Sequence, residues 1–135
     1  MKLNLILAVA SGLSLLFLSF HLADDIVRGF SPGGLGNITA IVIMGVWLSG
    51  TLLVVADRRS GYIIVGLLSL LGTGVPIIHM TGAGLAGGRL ANSNGQFFFI
   101  WTLLAVGATT IFSVILAARG VWVSLRRPRG ALPSP

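Results

Sequence analysis

The stretch from Leu3 to Ala23 contains about twenty consecutive residues without a charged side chain. At a rise of 1.5 Å per residue, a helix of that length crosses the roughly 30 Å hydrocarbon core of a bilayer. Three further uncharged apolar stretches follow, at 37–56, 62–80 and 97–118. The sequence therefore predicts an all-α polytopic membrane protein with four transmembrane helices.

The composition agrees with this interpretation. Of the 135 residues, 55% are hydrophobic and only 9% are charged, which lies outside the usual range of soluble domains. The absence of cysteine excludes disulfides, thiolate metal sites and iron–sulfur clusters. In a soluble protein the net charge of +6 would suggest a nucleic-acid partner. Here the basic residues lie mostly at the ends of the predicted spans, so we expect the lipid bilayer as partner and no nucleic acid.

The connections between the spans are short. Residues 30–36, with the sequence FSPGGLG, have the composition of a loop, and residues 57–61 are too few for anything but a tight turn. Consecutive spans must then be antiparallel neighbours, which predicts an up-down-up-down four-helix transmembrane bundle. We expect a single membrane domain over 1–125, followed by a basic, disordered cytoplasmic tail over 126–135.

The distribution of positive charge predicts the orientation. With the N-terminus inside, seven of the nine basic residues are cytoplasmic: Lys2, Arg58, Arg59, Arg119, Arg126, Arg127 and Arg129. Only Arg28 and Arg89 lie on the outer side. Because cytoplasmic loops carry the excess of Lys and Arg, we expect both termini in the cytoplasm and a multi-pass protein of the bacterial inner membrane. Arg58, Arg59, Arg126, Arg127 and Arg129 are also candidates for contact with anionic lipid.

Small residues recur at three- or four-residue spacing in every span, as is typical of closely packed membrane helices. They are Ala10 and Ser14, Gly45 and Ser49, Ser69 and Gly72, and Thr109, Ser113 and Ala117. We expect these residues to face neighbouring helices. Asn37, at the start of the second span, is a candidate N-cap.

One polar stretch follows the first span. If the helix continues through it, His21, Asp24, Asp25 and Arg28 fall within an arc of roughly 100°. The topology places His79, near the end of the third span, at the same depth as His21. We expect these five side chains to form a polar pocket at the outer surface. Other groups could complete the pocket: Thr73, the carbonyl of Gly72 that Pro76 frees from helical bonding, and Arg89 in the following loop.

Three functional interpretations of this pocket compete. His21, Asp24, Asp25 and His79 would suit a metal ion, since imidazole and carboxylate bind zinc, copper or iron without thiolate. His21 and His79 alone could be the axial ligands of a b-type haem. The ionisable groups could instead move protons or ions. A purely structural alternative pairs Asp24 with Arg28 and Asp25 with Arg89, so that the cluster only fixes helix register.

The segments HLADDIVRGFSPGG, ADRRSGYI, GVPIIHM and FFFIWTLLAVG resemble a family of small uncharacterised bacterial four-span integral membrane proteins, over roughly residues 20 to 122. The resemblance implies a bacterial inner-membrane location and no particular activity. The chain also has the size and span number of small multidrug-resistance transporters, but it has no glutamate, on which that family relies.

The sequence therefore favours a small inner-membrane accessory or binding protein whose outer pocket holds a metal ion or haem. The alternative is a proton-coupled small transporter or channel subunit. An enzyme is less favoured, since no thiol and no nucleophile–base arrangement is visible in the sequence. Close helix packing also suggests a homo-oligomer or a membrane-protein partner.

Overall fold

The computed structural model describes residues 2–81 and 95–126, and these contain four long helices and no strand. The helices are α1 (Lys2–Val27), α2 (Ile38–Val55), α3 (Arg59–Thr81) and α4 (Gln96–Arg126). A short 3-10 helix, Gly34–Asn37, precedes α2. All four long helices have the length and apolar composition needed to cross a membrane. The predicted all-α four-helix bundle is thus confirmed for the described residues.

The helices form a ring in which each packs against its neighbours in sequence and α4 closes back onto α1. Between α2 and α3 the turn is as tight as predicted, and Asp57 adopts a left-handed conformation there, with φ of 53°. Aspartate tolerates this region better than most residues with a side chain. The ends of α1 and α3 and the start of α4 lie at one end of the bundle. We call it the cluster end, because a cluster of polar side chains described below lies there. The α2–α3 turn lies at the opposite end, the turn end.

The exterior of the bundle is apolar, unlike that of a soluble protein, and its interior contains small polar side chains besides apolar ones. Large apolar side chains lie exposed on every long helix, for example Leu5, Leu52, Leu71 and Leu104. Small hydroxyl side chains are buried in the interior, and they are Ser11, Ser14, Thr51, Ser69, Thr102, Thr110 and Ser113. Apolar exteriors and small polar interiors are typical of helices that pack within lipid. A multi-pass membrane protein is the class that this distribution favours.

The core combines a few large side chains with close backbone approach. Trp47, Leu7, Val54, Tyr62 and Val65 belong to the main buried apolar cluster. The Nε1 of Trp47 donates a hydrogen bond of 2.9 Å to the Ser11 hydroxyl, which satisfies the indole in this interior.

Glycine permits two of the closest helix crossings. A Cβ atom at Gly61 would collide with the α2 backbone at Leu53 and Val54, and one at Gly120 would collide with the ring of Tyr62. Both glycines lie near the turn end. They bring α3 against α2 and α4 against α3 more closely than any other residue would allow.

Three details differ from the predictions. On α2 the buried face is Trp47, Gly50, Thr51 and Val54, whereas Gly45 and Ser49 are exposed. Asn37 makes no side-chain cap bond, because its Oδ1 accepts a hydrogen bond of 2.9 Å from the Ser31 hydroxyl instead.

The third difference is at the end of α4. The helix continues past Ala118 to Arg126, whose guanidinium lies 4.3 Å from the ring centroid of Trp122. Residue 126 therefore belongs to a helix and not to the predicted tail. Residues 127–135, with Arg127 and Arg129, lie outside the described residues.

Candidate metal centre

Two histidines and one aspartate meet at the cluster end. Asp25 lies one turn after His21 on α1, and its Oδ2 is 3.8 Å from Nε2 of His21. The same oxygen is 3.6 Å from Nε2 of His79, near the end of α3. One potential ligand atom from each residue lies within 4.8 Å of the others. We call these three residues the His–Asp cluster.

The C-terminus of α1 fixes the backbone at Asp25. The N–H of Phe30 donates to the carbonyl of Asp25 at 2.8 Å, and the N–H of Gly29 donates to the carbonyl of Ile26 at 3.1 Å. Gly29 has a φ of 73°. This hydrogen-bond pair with a left-handed glycine is the Schellman arrangement that ends many helices. The helix thus stops directly after it has presented His21 and Asp25 on one face.

Thr102 of α4 orients His21. Its Oγ1 donates to the carbonyl of Phe98 or Phe99, at 2.9 and 3.0 Å, and lies 3.3 Å from Nδ1 of His21. When the single hydroxyl hydrogen is donated within α4, Thr102 accepts from the imidazole. In that arrangement the proton of a neutral His21 lies on Nδ1 and the lone pair lies on Nε2.

In this arrangement the lone pair on Nε2 of His21 faces the carboxylate of Asp25. His21 is 1% exposed, and neither its Nε2 nor Oδ1 of Asp25 has a hydrogen-bond partner among the described residues. Two electron-rich groups that are buried side by side destabilise the fold unless positive charge lies between them. His79 contributes a third nitrogen to the same space. The cluster could therefore hold a cation, either a metal ion or a proton.

Phe99 forms the wall behind the imidazoles. Its ring is fully buried, and its centroid lies 4.9 Å from that of His21 and 5.4 Å from that of His79. Phe30 also packs against it, and Arg28 lies 5.7 Å above the ring. Phe99 and Thr102 were not predicted as site residues from the sequence. Their i, i+3 spacing, which places both on one face of α4, was the available signal.

The other predicted pocket residues are not members of the His–Asp cluster. Asp24 pairs with Arg28, whose Nε donates to Oδ2 at 2.7 Å, as the structural alternative predicted. Asp24 is not part of the His–Asp cluster. Gly72 and Pro76 pack within the bundle, against Thr110 and Gly107 respectively. Arg89 lies outside the described residues, and so does its predicted pairing with Asp25.

The predicted lipid-contacting arginines that the structure describes lie at the turn end. Arg58 and Arg59 are exposed beside the turn, and Arg126 is exposed at the end of α4. All three are thus separated from the His–Asp cluster by the length of the bundle.

A second polar group, which the sequence analysis did not identify, lies at the turn end. The Tyr62 hydroxyl lies 2.6 Å from Oδ1 of Asn4 and 2.8 Å from Oδ1 of Asp57. The amide of Asn4 donates to the same aspartate oxygen at 3.0 Å. These three residues, which we call the turn-end triad, connect the start of α1, the α2–α3 turn and the first turns of α3.

The geometry of the His–Asp cluster suits an ion better than a haem. The two imidazole rings lie edge to face with centroids 4.8 Å apart, so no porphyrin fits between them without separating α1 from α3. Tetrahedral zinc with bonds near 2.0 Å places its ligand atoms about 3.3 Å apart. The two nitrogen–oxygen distances of 3.8 and 3.6 Å lie within about half an ångström of that value, and all three ligand atoms lie within 4.8 Å of one another.

The fold and the site together define the class: a helical bundle with four candidate membrane-spanning helices and a buried His–Asp–His cluster near one end. No family model, no curated protein and no solved structure matches this chain. The function of the protein is therefore inferred from the chemistry of the site itself.

Proposed function

We propose that this protein is a membrane protein that binds one divalent transition-metal ion through His21, Asp25 and His79. The observation that carries the proposal is that Nε2 of His21 is buried beside the Asp25 carboxylate, without a hydrogen bond to either Nε2 or Oδ1 among the described residues. Imidazole and carboxylate ligands favour zinc, iron, nickel or copper over the hard cations magnesium and calcium. Three protein ligands also leave one position open for an external ligand.

Binding of this kind fits an accessory or binding protein. The Thr102 hydroxyl supports His21 in the way that outer-shell groups support metal-bound histidines. The exposed apolar faces of the helices offer surfaces for a second copy or for another membrane protein. An accessory role predicts that the protein co-purifies in mild detergent with a partner, whose capture from the membrane decreases when the metal is removed.

The orientation that we propose has both termini in the cytoplasm of a bacterium and the His–Asp cluster at the outer surface of its inner membrane. Five basic residues lie at the turn end, namely Lys2, Arg58, Arg59, Arg119 and Arg126, whereas Arg28 lies at the cluster end. This asymmetry supports a cytoplasmic turn end. A reporter active only in the cytoplasm should be active when inserted at residues 57–60. Activity of a periplasmic reporter at that position would contradict the orientation.

Movement of protons or ions is a second candidate function. The hydroxyls of Ser69 and Ser113 are fully buried in the bundle and have no hydrogen-bond partner among the described residues. Such groups can hold water in a polar interior. A proton-coupled transporter or channel subunit should acidify liposomes under an imposed gradient, and Asp25→Asn should abolish that flux. A metal-binding accessory protein should show no flux in the same assay.

Zinc titration of the purified protein tests the leading proposal. One Zn²⁺ per chain should compete with a fluorescent chelator, and Asp25→Asn, His21→Ala and His79→Ala should each weaken binding at least about tenfold. Asp24→Asn is the matched control, because its carboxylate pairs with Arg28 and lies outside the His–Asp cluster. Equal losses in Asp24→Asn and Asp25→Asn would contradict the assignment, as would the absence of stoichiometric zinc.

A further inference from the structure

An apolar groove runs along the bundle between α1, α2 and α3. It encloses about 220 Å³, and its walls include Leu18 and Leu22 of α1, Met44 and Trp47 of α2, and Leu71 and Val75 of α3. The groove begins near Trp47 in the middle of the bundle and extends toward the cluster end. A groove of this kind offers contact to an apolar chain and little to a polar molecule.

The groove and the proposed metal centre are adjacent and share part of their walls. A second cavity of about 200 Å³ is lined by His21, Asp25 and His79 together with four apolar side chains. Leu18, Leu22 and Val75 line both this cavity and the groove. An apolar chain that lies in the groove and passes these three side chains would reach the proposed metal ligands.

A bound ion would have its open coordination position toward this cavity, because the cavity is the space beside the three ligands. Phe99 and Thr102 lie behind the imidazoles on α4 and are not among the residues that line the cavity. Apart from the three ligands, the described lining of the cavity is apolar: Leu18, Leu22, Val75 and Ile78. Among the residues that the structure describes, the lining thus provides no fourth protein ligand. An ion bound there would complete its coordination with a group that enters from the groove.

The net charge of the metal-loaded site indicates what kind of external ligand it would bind. A divalent ion with two neutral imidazoles and the Asp25 carboxylate has a net charge of +1, and the Asp24–Arg28 pair adds none. A singly charged oxygen donor would neutralise this charge in a half-buried site. A single apolar chain that ends in a carboxylate matches both the charge of the site and the shape of the groove.

We infer that the metal centre binds a long-chain carboxylate, a fatty acid, whose head completes the coordination of the ion and whose chain occupies the groove toward Trp47. The inference rests on the proposed metal binding. It assigns to the site a lipid-soluble ligand that enters sideways from the bilayer, in place of water or a soluble anion.

Trp47 reports occupancy of the groove. With Trp101→Phe and Trp122→Phe, which remove the two exposed tryptophans, fluorescence comes from Trp47 alone. Ser11, the hydrogen-bond partner of Trp47, lies ten residues before His21, or about 15 Å along α1. A stearic acid brominated at carbons 11 and 12 should therefore quench Trp47 when its carboxylate reaches the ion.

The experiment titrates this fatty acid into nanodiscs of unbrominated phosphatidylcholine that contain the protein with and without Zn²⁺. We expect saturable quenching in the zinc form and at least tenfold weaker binding in the zinc-free form. Ala40→Phe, which fills the groove, should reduce quenching to the zinc-free level while zinc affinity is retained. Ala108→Phe, at an exposed position on α4, is the matched control and should leave the quenching unchanged.

The two proposals fail differently in this experiment. If the chain binds zinc but quenching rises linearly with fatty acid and is equal in both forms, the fatty-acid inference is overturned and the metal centre stands. If no stoichiometric zinc binds, the metal proposal fails, and the fatty-acid inference fails with it. Saturation by a brominated phosphatidylcholine at the same mole fraction would also overturn the preference for a free carboxylate.

Discussion

At the scale of single residues, the site depends on which nitrogen of His21 carries the proton. When the hydroxyl of Thr102 donates within α4, it accepts from Nδ1 and leaves the lone pair on Nε2. Outer-shell partners of metal-bound histidines typically contribute about 10- to 100-fold in affinity. The residue that orients the imidazole should thus matter nearly as much as a ligand.

Replacement of Thr102 by valine tests this role. Thr102→Val keeps the shape of the side chain and removes the acceptor, so we expect zinc affinity to fall about 10- to 100-fold. Thr102→Ser should restore most of the affinity. Thr109→Val is the control, because Thr109 bonds only to carbonyls of its own helix, at Ala105 and Val106. An unchanged zinc affinity in Thr102→Val would contradict the assigned tautomer.

Part of the site could be predicted from the sequence. Helical spacing and topology predicted that His21 and His79 share a depth, and the structure brings their rings into contact. Spacing could not separate Asp24 from Asp25, because both i+3 and i+4 neighbours of His21 lie on its face of a helix. Arg28, which pairs with Asp24, decides between them. The roles of Phe99 and Thr102 depend on how α4 packs against α1, which one-chain periodicity does not specify.

At the scale of elements, the end of α1 determines where the two ligands lie. The helix continues beyond the predicted apolar limit at Ala23 to Val27, and the left-handed Gly29 then reverses the chain. A Cβ atom at Gly29 would meet no other atom within 4 Å. Any cost of a side chain there is therefore conformational and not steric.

Gly29→Ala should lower the free energy of unfolding by about 1 kcal/mol or somewhat more, because alanine is strained at positive φ. Gly12→Ala is a matched control: its Cβ would also meet open space, but it lies in the middle of α1, where alanine favours the helix. Thermal unfolding in one detergent should rank Gly12→Ala above the unsubstituted protein and Gly29→Ala below it. A higher melting temperature for Gly29→Ala would contradict the role of the glycine.

The buried face of α2 shows the limit of pattern analysis for a membrane helix. Small-residue spacing favoured Gly45 and Ser49, whereas the helix buries Trp47, Gly50 and Thr51. When nearly every residue is apolar, hydrophobic periodicity carries little information about which face is inside. Partner residues decide instead, such as Ser11, which bonds to both Trp47 and Thr51.

At the scale of the whole molecule, two polar groups at opposite ends hold the bundle. The His–Asp cluster connects α1 and α3, with α4 behind it, and the turn-end triad connects α1 to the α2–α3 turn. The polar stretch after the first span predicted a pocket at the cluster end. No comparable pattern marked the triad, since Asn4 lies 53 residues before Asp57 and 58 before Tyr62 and meets them only because the bundle closes.

The triad should contribute to stability and not to metal binding. Tyr62→Phe removes one hydroxyl that contacts Asn4 and Asp57, and we expect it to lower the free energy of unfolding by about 1 kcal/mol. Zinc affinity should stay within twofold, because the cluster lies at the other end of α3. Chemical unfolding and zinc titration of the same sample separate the two effects. A zinc affinity that falls with Tyr62→Phe would show that the two ends are coupled.

The X-ray absorption spectrum of the zinc-loaded protein at the zinc edge tests the central claim most directly. The account predicts four nitrogen or oxygen neighbours at about 2.0–2.1 Å, with the outer-shell scattering of two imidazoles. His79→Ala should reduce that scattering to one imidazole, and Asp24→Asn should leave the spectrum unchanged. A shell of six oxygens without imidazole scattering would contradict the assignment of His21, Asp25 and His79 as the metal ligands.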